Sequence, residues 1–152
     1  MEIISVFQQG EKIDLCYTAE GENLSPPLQF KGVSSEAKSL VLIMDDPDAP
    51  QQTFVHWVVW DIAPSLKEMS AGAKELDQMK VGKGLNDAGT TDYFGPKPPA
   101  GPAHRYFFKL YALDLPSLNL KIGATKAQVE AAMHGHILAQ AEVMGTYQQG
   151  NS

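Results

Sequence analysis

Ser39-Leu40-Val41-Leu42-Ile43-Met44 runs without a break into Asp45-Asp46-Pro47-Asp48-Ala49-Pro50. Successive strand side chains point to opposite faces, so an apolar run of strand length must be covered on both sides. This segment therefore reads as a strand buried on both faces. Its exit carries three carboxylates, Asp45, Asp46 and Asp48. The ordinary role of such a run is a solvated Asp-Pro turn, in which Asp binds backbone amides and Pro sets φ. Here the preceding strand has no polar face, so at least one acid ends at the core edge. An acid there needs a donor, because an unpaired buried charge is costly. The same residue types can also orient a histidine, work as an acid–base pair or ligate a divalent cation. The X-Pro bonds in addition permit a cis peptide that would fix the direction of the acid.

Phe54-Val55-His56-Trp57-Val58-Val59-Trp60 reads as a second strand. His56 is a polar ring in an apolar strand and must find a hydrogen-bond partner. A lone strand histidine is more often a satisfied core residue than a catalyst. Asp46 lies ten residues earlier, and a hairpin-like return would bring the two together. The carboxylate would then fix the tautomer of His56 and favour its protonated form. A third strand, Arg105–Leu113, follows a loop rich in Pro and Gly that begins at Gly95. Pro98 and Pro99 fix φ and offer no backbone N–H, which stiffens that loop. Alternation places His104 and Tyr106 on one face and Arg105 on the other. An imidazole and a phenol at the mouth of a stiff loop suit a small polar ligand. Arg105 reads as a structural ion-pair partner.

Shorter strands are expected at Ile3–Phe7, Ile13–Tyr17, Leu28–Phe30 and Met79–Gly82, with a loop at Gly84–Asp92. The second of these makes Cys16 a small strand residue rather than a nucleophile. Thr125 is a suitable N-cap for a helix over Lys126–Met133, with Gly135 as its stop. His136–Tyr147 fits a strand by alternation and a helix by composition. Long helical crossovers are missing, so the chain reads as mainly β with antiparallel sheets. No repeat, low-complexity tract or linker divides residues 1–152, which implies a single domain. His134 and His136 lack the spacing of a helical metal pair and read as structural or solvent-facing.

Of 152 residues, 43% are hydrophobic and 20% charged, proportions of a folded globular chain rather than a disordered one. The formal net charge of −6 provides no attraction to nucleic acid or to an anionic membrane surface. Any anion must be held by a local constellation. The single cysteine excludes an internal disulfide, the N-terminus lacks a basic signal-peptide region, and Leu40–Met44 is far too short to span a bilayer. A soluble, cytoplasmic protein without membrane insertion is expected. The motifs of serine hydrolases, P-loops, zincins, Cys-x-x-Cys and dinucleotide folds are absent, so no cofactor is implied. Asp46, His56 and His104 have no spacing specific for a metal.

Taken in order, Asp46-Pro-Asp-Ala-Pro50, His56-Trp57 and Gly95…Pro98-Pro99…Gly101…His104-Arg105-Tyr106 resemble the signature of the phosphatidylethanolamine-binding proteins, the Raf kinase inhibitor protein family. Asn23-Leu-Ser-Pro-Pro27 and Gly135-His-Ile-Leu-Ala139…Gly145-Thr-Tyr147 resemble its bacterial and archaeal branch. The resemblance spans essentially the whole chain. It implies a β-sandwich-like fold, a large antiparallel sheet on a smaller one with short peripheral helices, and favours a strand for His136–Tyr147. It also implies a pocket for phosphate or a phosphorylated headgroup. Asp46 and His56 would form its polar floor, with Asp46 holding His56 as a donor. His104 and Tyr106 would form a wall and Pro98-Pro99 the rim, while Gly95 opens the close-approach loop. Imidazole N–H, phenol O–H and loop amides are suitable donors to phosphate oxygens. Asp48 would be a structural partner within the turn and Lys97 an outward-facing rim residue. Phe54 and Phe30 would replace tryptophans of the apolar collar, and Tyr147 is matched to a pocket tyrosine. The function implied is non-enzymatic binding of a small anionic ligand, with kinase or protease regulation and a homodimer as family properties. The alternative is a weak phosphoester hydrolase with His56 as base and Asp46 as its orienter.

Overall fold

The computed structural model describes residues 1–150. β1 (Glu2–Ser5), β2 (Leu28–Lys31) and β5 (Glu68–Met69) form a small antiparallel sheet in the order β1-β2-β5. β3 (Ser39–Asp46), β4 (Phe54–Ile62), β6 (Gly82–Lys83), β7 (His104–Leu113) and β8 (Ile137–Tyr147) form a larger antiparallel sheet in the order β6-β4-β3-β7-β8. This is the mainly β, antiparallel architecture expected, and β8 resolves the ambiguity at the C-terminus as strand.

β3 occupies the middle of the large sheet, and every one of its residues is buried. Leu40, Leu42 and Met44 face the core between the two sheets, with Ile3, Leu28, Phe30 and Met69 of the small sheet opposite. Val41 and Ile43 face the other way, into a second core under α1 (Lys126–Met133). The helix turns Val129 and Met133 inward. It begins with a reciprocal capping box, in which Gln128 N–H donates to the Thr125 hydroxyl and Thr125 N–H to the Gln128 side chain. The unbroken apolar run of β3 is thus explained by two layers, one on each face.

Two of the short strands differ from expectation. Over Ile13–Tyr17, Asp14 accepts from the Cys16 N–H and starts a 3₁₀ turn at Leu15–Tyr17. Local side-chain capping outcompetes extended pairing there, and only Ile13 N–H reaches the sheet, donating to the Thr146 carbonyl at 2.8 Å. Over Met79–Gly82, pairing is confined to Gly82–Lys83 on β4. Gly82 lies flat on the Trp60 indole, where a Cβ would come within 1.9 Å of the ring.

One irregularity positions the site. Between β3 and β4 the register passes from Met44↔Trp57 to Asp45↔Val55, so His56 is an extra residue without a partner across the ladder. Such a bulge reverses the alternation of the strand. Trp57 faces the inter-sheet core while Val55 packs on the helix side, two residues apart yet on opposite faces.

Candidate functional site

The end of β3, the start of β4 and the start of β7 surround a hollow of about 340 Å³ lined by Asp46, Phe54, His56, Phe94, His104, Tyr106, Pro98 and Pro99, among others. Of the seven residues singled out from the sequence, all but Gly95 line it.

Asp46 is buried and doubly engaged. One carboxylate oxygen accepts from the Asp48 N–H at 2.8 Å, and the other accepts from His104 Nδ1 at 2.7 Å. The acid therefore orients His104. This corrects the expectation that it would hold His56. His56 Nδ1 donates instead to the Phe94 carbonyl at 2.5 Å. The bulge gives His56 its own direction, and the chain entering the Pro/Gly loop supplies its acceptor. The ring lies 4.7 Å from Phe54 and 5.9 Å from Phe94, nearly parallel to the latter, with the edge of Tyr106 at 5.3 Å. Burial among these rings holds its pKa below the ordinary histidine value, despite the Phe94 bond and the Asp46 charge. His56 is accordingly neutral at pH 7.

Tyr106 is fully buried, and its hydroxyl, although close enough to Asp46 to feel that carboxylate, meets no partner in hydrogen-bonding geometry among the described residues. Burial, together with the nearby Asp46 charge, raises its pKa well above the ordinary phenol value, so the O–H is retained. Arg105 faces away from the hollow, as alternation requires. Its backbone N–H and Nε donate to one Asp48 oxygen and its Nη2 to the other, each at 2.9 Å. Asp48 thus locks the entry of β7 to the turn after β3.

Gly95 lies behind the wall. Its N–H donates to the Asn23 side chain at 2.7 Å, and a Cβ would come within 2.6 Å of the Tyr17 carbonyl. The close approach it permits is that of the 17–23 segment. Pro98 and Pro99 form the rim, and the exposed Lys97 lies beside them on the lining. Phe54 belongs to the collar, but Phe30 is a core residue of the small sheet. Tyr147 is also elsewhere, donating to Glu20 at 2.7 Å. His136 Nδ1 donates to the Asp114 carboxylate at 2.8 Å, and His134 is exposed. No peptide bond among the described residues is cis, and no three His, Cys, Asp or Glu side chains among them converge as metal ligands.

Sequence reasoning missed Phe94 and Asp87. Asp87 lies in the segment read simply as loop; its carboxylate accepts from the Val55 N–H at 2.7 Å and its own N–H donates to the Val55 carbonyl. That pairing closes one side of the hollow. The available signal for Phe94 was an aromatic pair, Tyr93-Phe94, abutting the Gly95 loop; for Asp87 there was none beyond its type.

The sequence profile of the phosphatidylethanolamine-binding proteins matches residues 3–148. The chain belongs to this family. A UPF0098 protein of Methanothermobacter thermautotrophicus is 47% identical over 146 residues, covering 95% of each chain. Another from Pyrococcus horikoshii is 44% identical over 98% of this chain and 77% of its own. Among solved structures, a phosphatidylethanolamine-binding protein homolog from Chlamydia trachomatis superposes with a TM-score of 0.89 at 42% identity, covering 97% of both chains. Escherichia coli YbcL, described as a member of the mammalian family, gives 0.87 at 28% identity over the same coverage. The two-sheet architecture is thus that of the phosphatidylethanolamine-binding proteins. No helix among the described residues is long and apolar enough to cross a membrane.

Proposed function

We propose that this member of the phosphatidylethanolamine-binding protein family is a non-enzymatic binding protein whose hollow takes phosphate or a phosphorylated small molecule. The Tyr106 hydroxyl carries the reading. A buried donor without a partner costs roughly 1–3 kcal/mol, and a ligand oxygen in the hollow would remove that cost. His104, held by Asp46, and His56, held by Phe94, flank it with one ring nitrogen each still to be engaged. The hollow is also preformed, since backbone and carboxylate already fix both rings. The hydrolase reading loses support, because the Asp46–His56 pair it requires is replaced by Asp46–His104. A phosphorylated residue on a kinase, a protease or another partner presents the same chemical group, and regulation of such a partner would use the same donors.

Titration with inorganic phosphate or phosphoethanolamine at millimolar concentration, followed by imidazole NMR, tests the proposal. The His56 and His104 resonances should shift, and the His56→Ala/His104→Ala double variant should lose the response. If neither ring responds in the wild-type protein, the binding proposal fails. Turnover of a phosphoester panel that disappears in His56→Ala would replace it with catalysis.

A further inference from the structure

The donor and acceptor inventory of the hollow goes further than the class of anion. Building on the phosphate reading above, we infer that the hollow selects oxyanions that carry a proton of their own, hydrogenphosphate over sulfate, with His56 Nε2 accepting that proton's hydrogen bond.

A carbonyl oxygen can only accept, so the bond between His56 Nδ1 and Phe94 places the hydrogen on Nδ1. In the neutral ring Nε2 is then a lone-pair acceptor. Neutrality follows from the surroundings: the residue is 3% exposed and enclosed by Phe54, Phe94 and the edge of Tyr106. Asp46 makes no hydrogen bond to His56 among the described residues: its oxygens accept from the Asp48 amide and from His104, and the acceptor facing His56 Nδ1 is the Phe94 carbonyl. Tyr106 Oη supplies a donor, and His104 Nε2 is the remaining nitrogen of a ring whose Nδ1–H points at Asp46. Whatever the charge of His104, His56 Nε2 is best matched by a donor from the ligand, a P–OH in hydrogenphosphate or the ammonium group in phosphoethanolamine.

Hydrogenphosphate and sulfate make this requirement visible. At pH 8 both are tetrahedral dianions of similar size, and they differ by one P–OH. Hydrogenphosphate can give that hydrogen to His56 Nε2 while accepting from Tyr106. Sulfate has only acceptors and would set an oxygen lone pair against the nitrogen lone pair, unless His56 first took up a proton. The charged and titratable groups around His56 are Asp46 from β3, with Asp45 acting from the opposite face of that strand, His104 and Tyr106 from β7, Asp87 from the loop beside β4, and Lys97 from the rim. Their charges act on both dianions alike, so the comparison isolates the hydrogen bond.

Isothermal titration of the whole chain with sodium phosphate and with sodium sulfate, at pH 8.0 and pH 5.5 and matched ionic strength, tests the inference. At pH 8.0 phosphate should bind about tenfold tighter than sulfate, the worth of one mismatched buried hydrogen bond. Sulfate affinity should rise once the pH falls toward the lowered folded-state pKa of His56, where the ring becomes able to donate. A phosphate-to-sulfate ratio below about threefold at pH 8.0 would overturn the inference and leave the anion site standing. Absence of binding by either anion at both pH values would remove the proposed function itself. In His56→Gln the amide offers a donor as well as an acceptor, so sulfate should approach phosphate; an unchanged ratio in a folded variant would assign the selection to another group.

Discussion

Asp45 and Asp46 are neighbours in the chain and point to opposite faces of the same sheet, and the two faces do opposite things with a buried carboxylate. On the helix side, Lys109 and Lys126 both donate to one Asp45 oxygen, at 3.0 and 2.8 Å. On the other side, Asp46 has one imidazole and one backbone amide, and the space beside it remains open. Among the described residues, each face leaves one buried polar atom unpaired, Asp45 Oδ1 and the Tyr106 hydroxyl. The first belongs to a carboxylate already held by two ammonium groups. The second lines a hollow that a ligand can enter. Flexible lysine stems close a site; rings fixed at one nitrogen keep it formed and open.

The largest effect should come from stripping the closed face. Asp45 is 1% exposed, whereas its lysines are 28% and 20% exposed. Removing both cations in Lys109→Met/Lys126→Met leaves a buried acid uncompensated, and urea denaturation should show a loss of about 3–5 kcal/mol. Each single variant should cost well under half of that, because the other lysine remains. Additive singles would show that the two lysines act independently and would weaken the contrast.

On the open face the corresponding test runs the other way. Tyr106→Phe removes the unpaired hydroxyl, so the ligand-free protein should be unchanged or more stable by about 1 kcal/mol. The same variant should bind phosphate roughly tenfold more weakly, as read by titration. A clear loss of stability without ligand would mean that the hydroxyl is satisfied within the protein.

Acidification sharpens the comparison further. The folded-state pKa of His56 lies below the ordinary value of 6.5, so the unfolded chain binds the extra proton first. Stability from this group is full above that value and is lost as the pH falls toward the folded-state value. Thermal midpoints measured from pH 7.5 down to 5.0 should therefore decline, and His56→Gln should decline less steeply. A parallel decline in both proteins would assign the acid sensitivity elsewhere. The smallest effect belongs to the exposed Arg105–Asp48 pair, where Arg105→Gln should cost only about 0.5–1 kcal/mol in denaturant.

Much of this arrangement is legible in local pattern. The apolar run Leu40–Met44 requires cover on two faces, and two cores cover it. Thr125 and Gln128 give the helix start, and alternation sends Arg105 away from His104 and Tyr106. The demand that a buried acid find a donor is met twice over, by lysines for Asp45 and by histidine for Asp46. Local pattern misleads at Ile13–Tyr17, where Asp14 offers the backbone a turn that competes with the sheet. It is silent about Asp87 and Phe94, which matter through where their loops land.

Residue types and a period of two determined that β3 is covered on both faces and that His104 and Tyr106 share a face. They also determined that an acid at its end must be paired. Only the tertiary structure decided which histidine Asp46 holds, because that choice depends on the register of strands 58 positions apart. It also decided where His56 points. One residue inserted into the β3–β4 ladder reverses every side-chain direction beyond it, and a bulge set by pairing across the sheet leaves no mark on the periodicity of the strand that carries it.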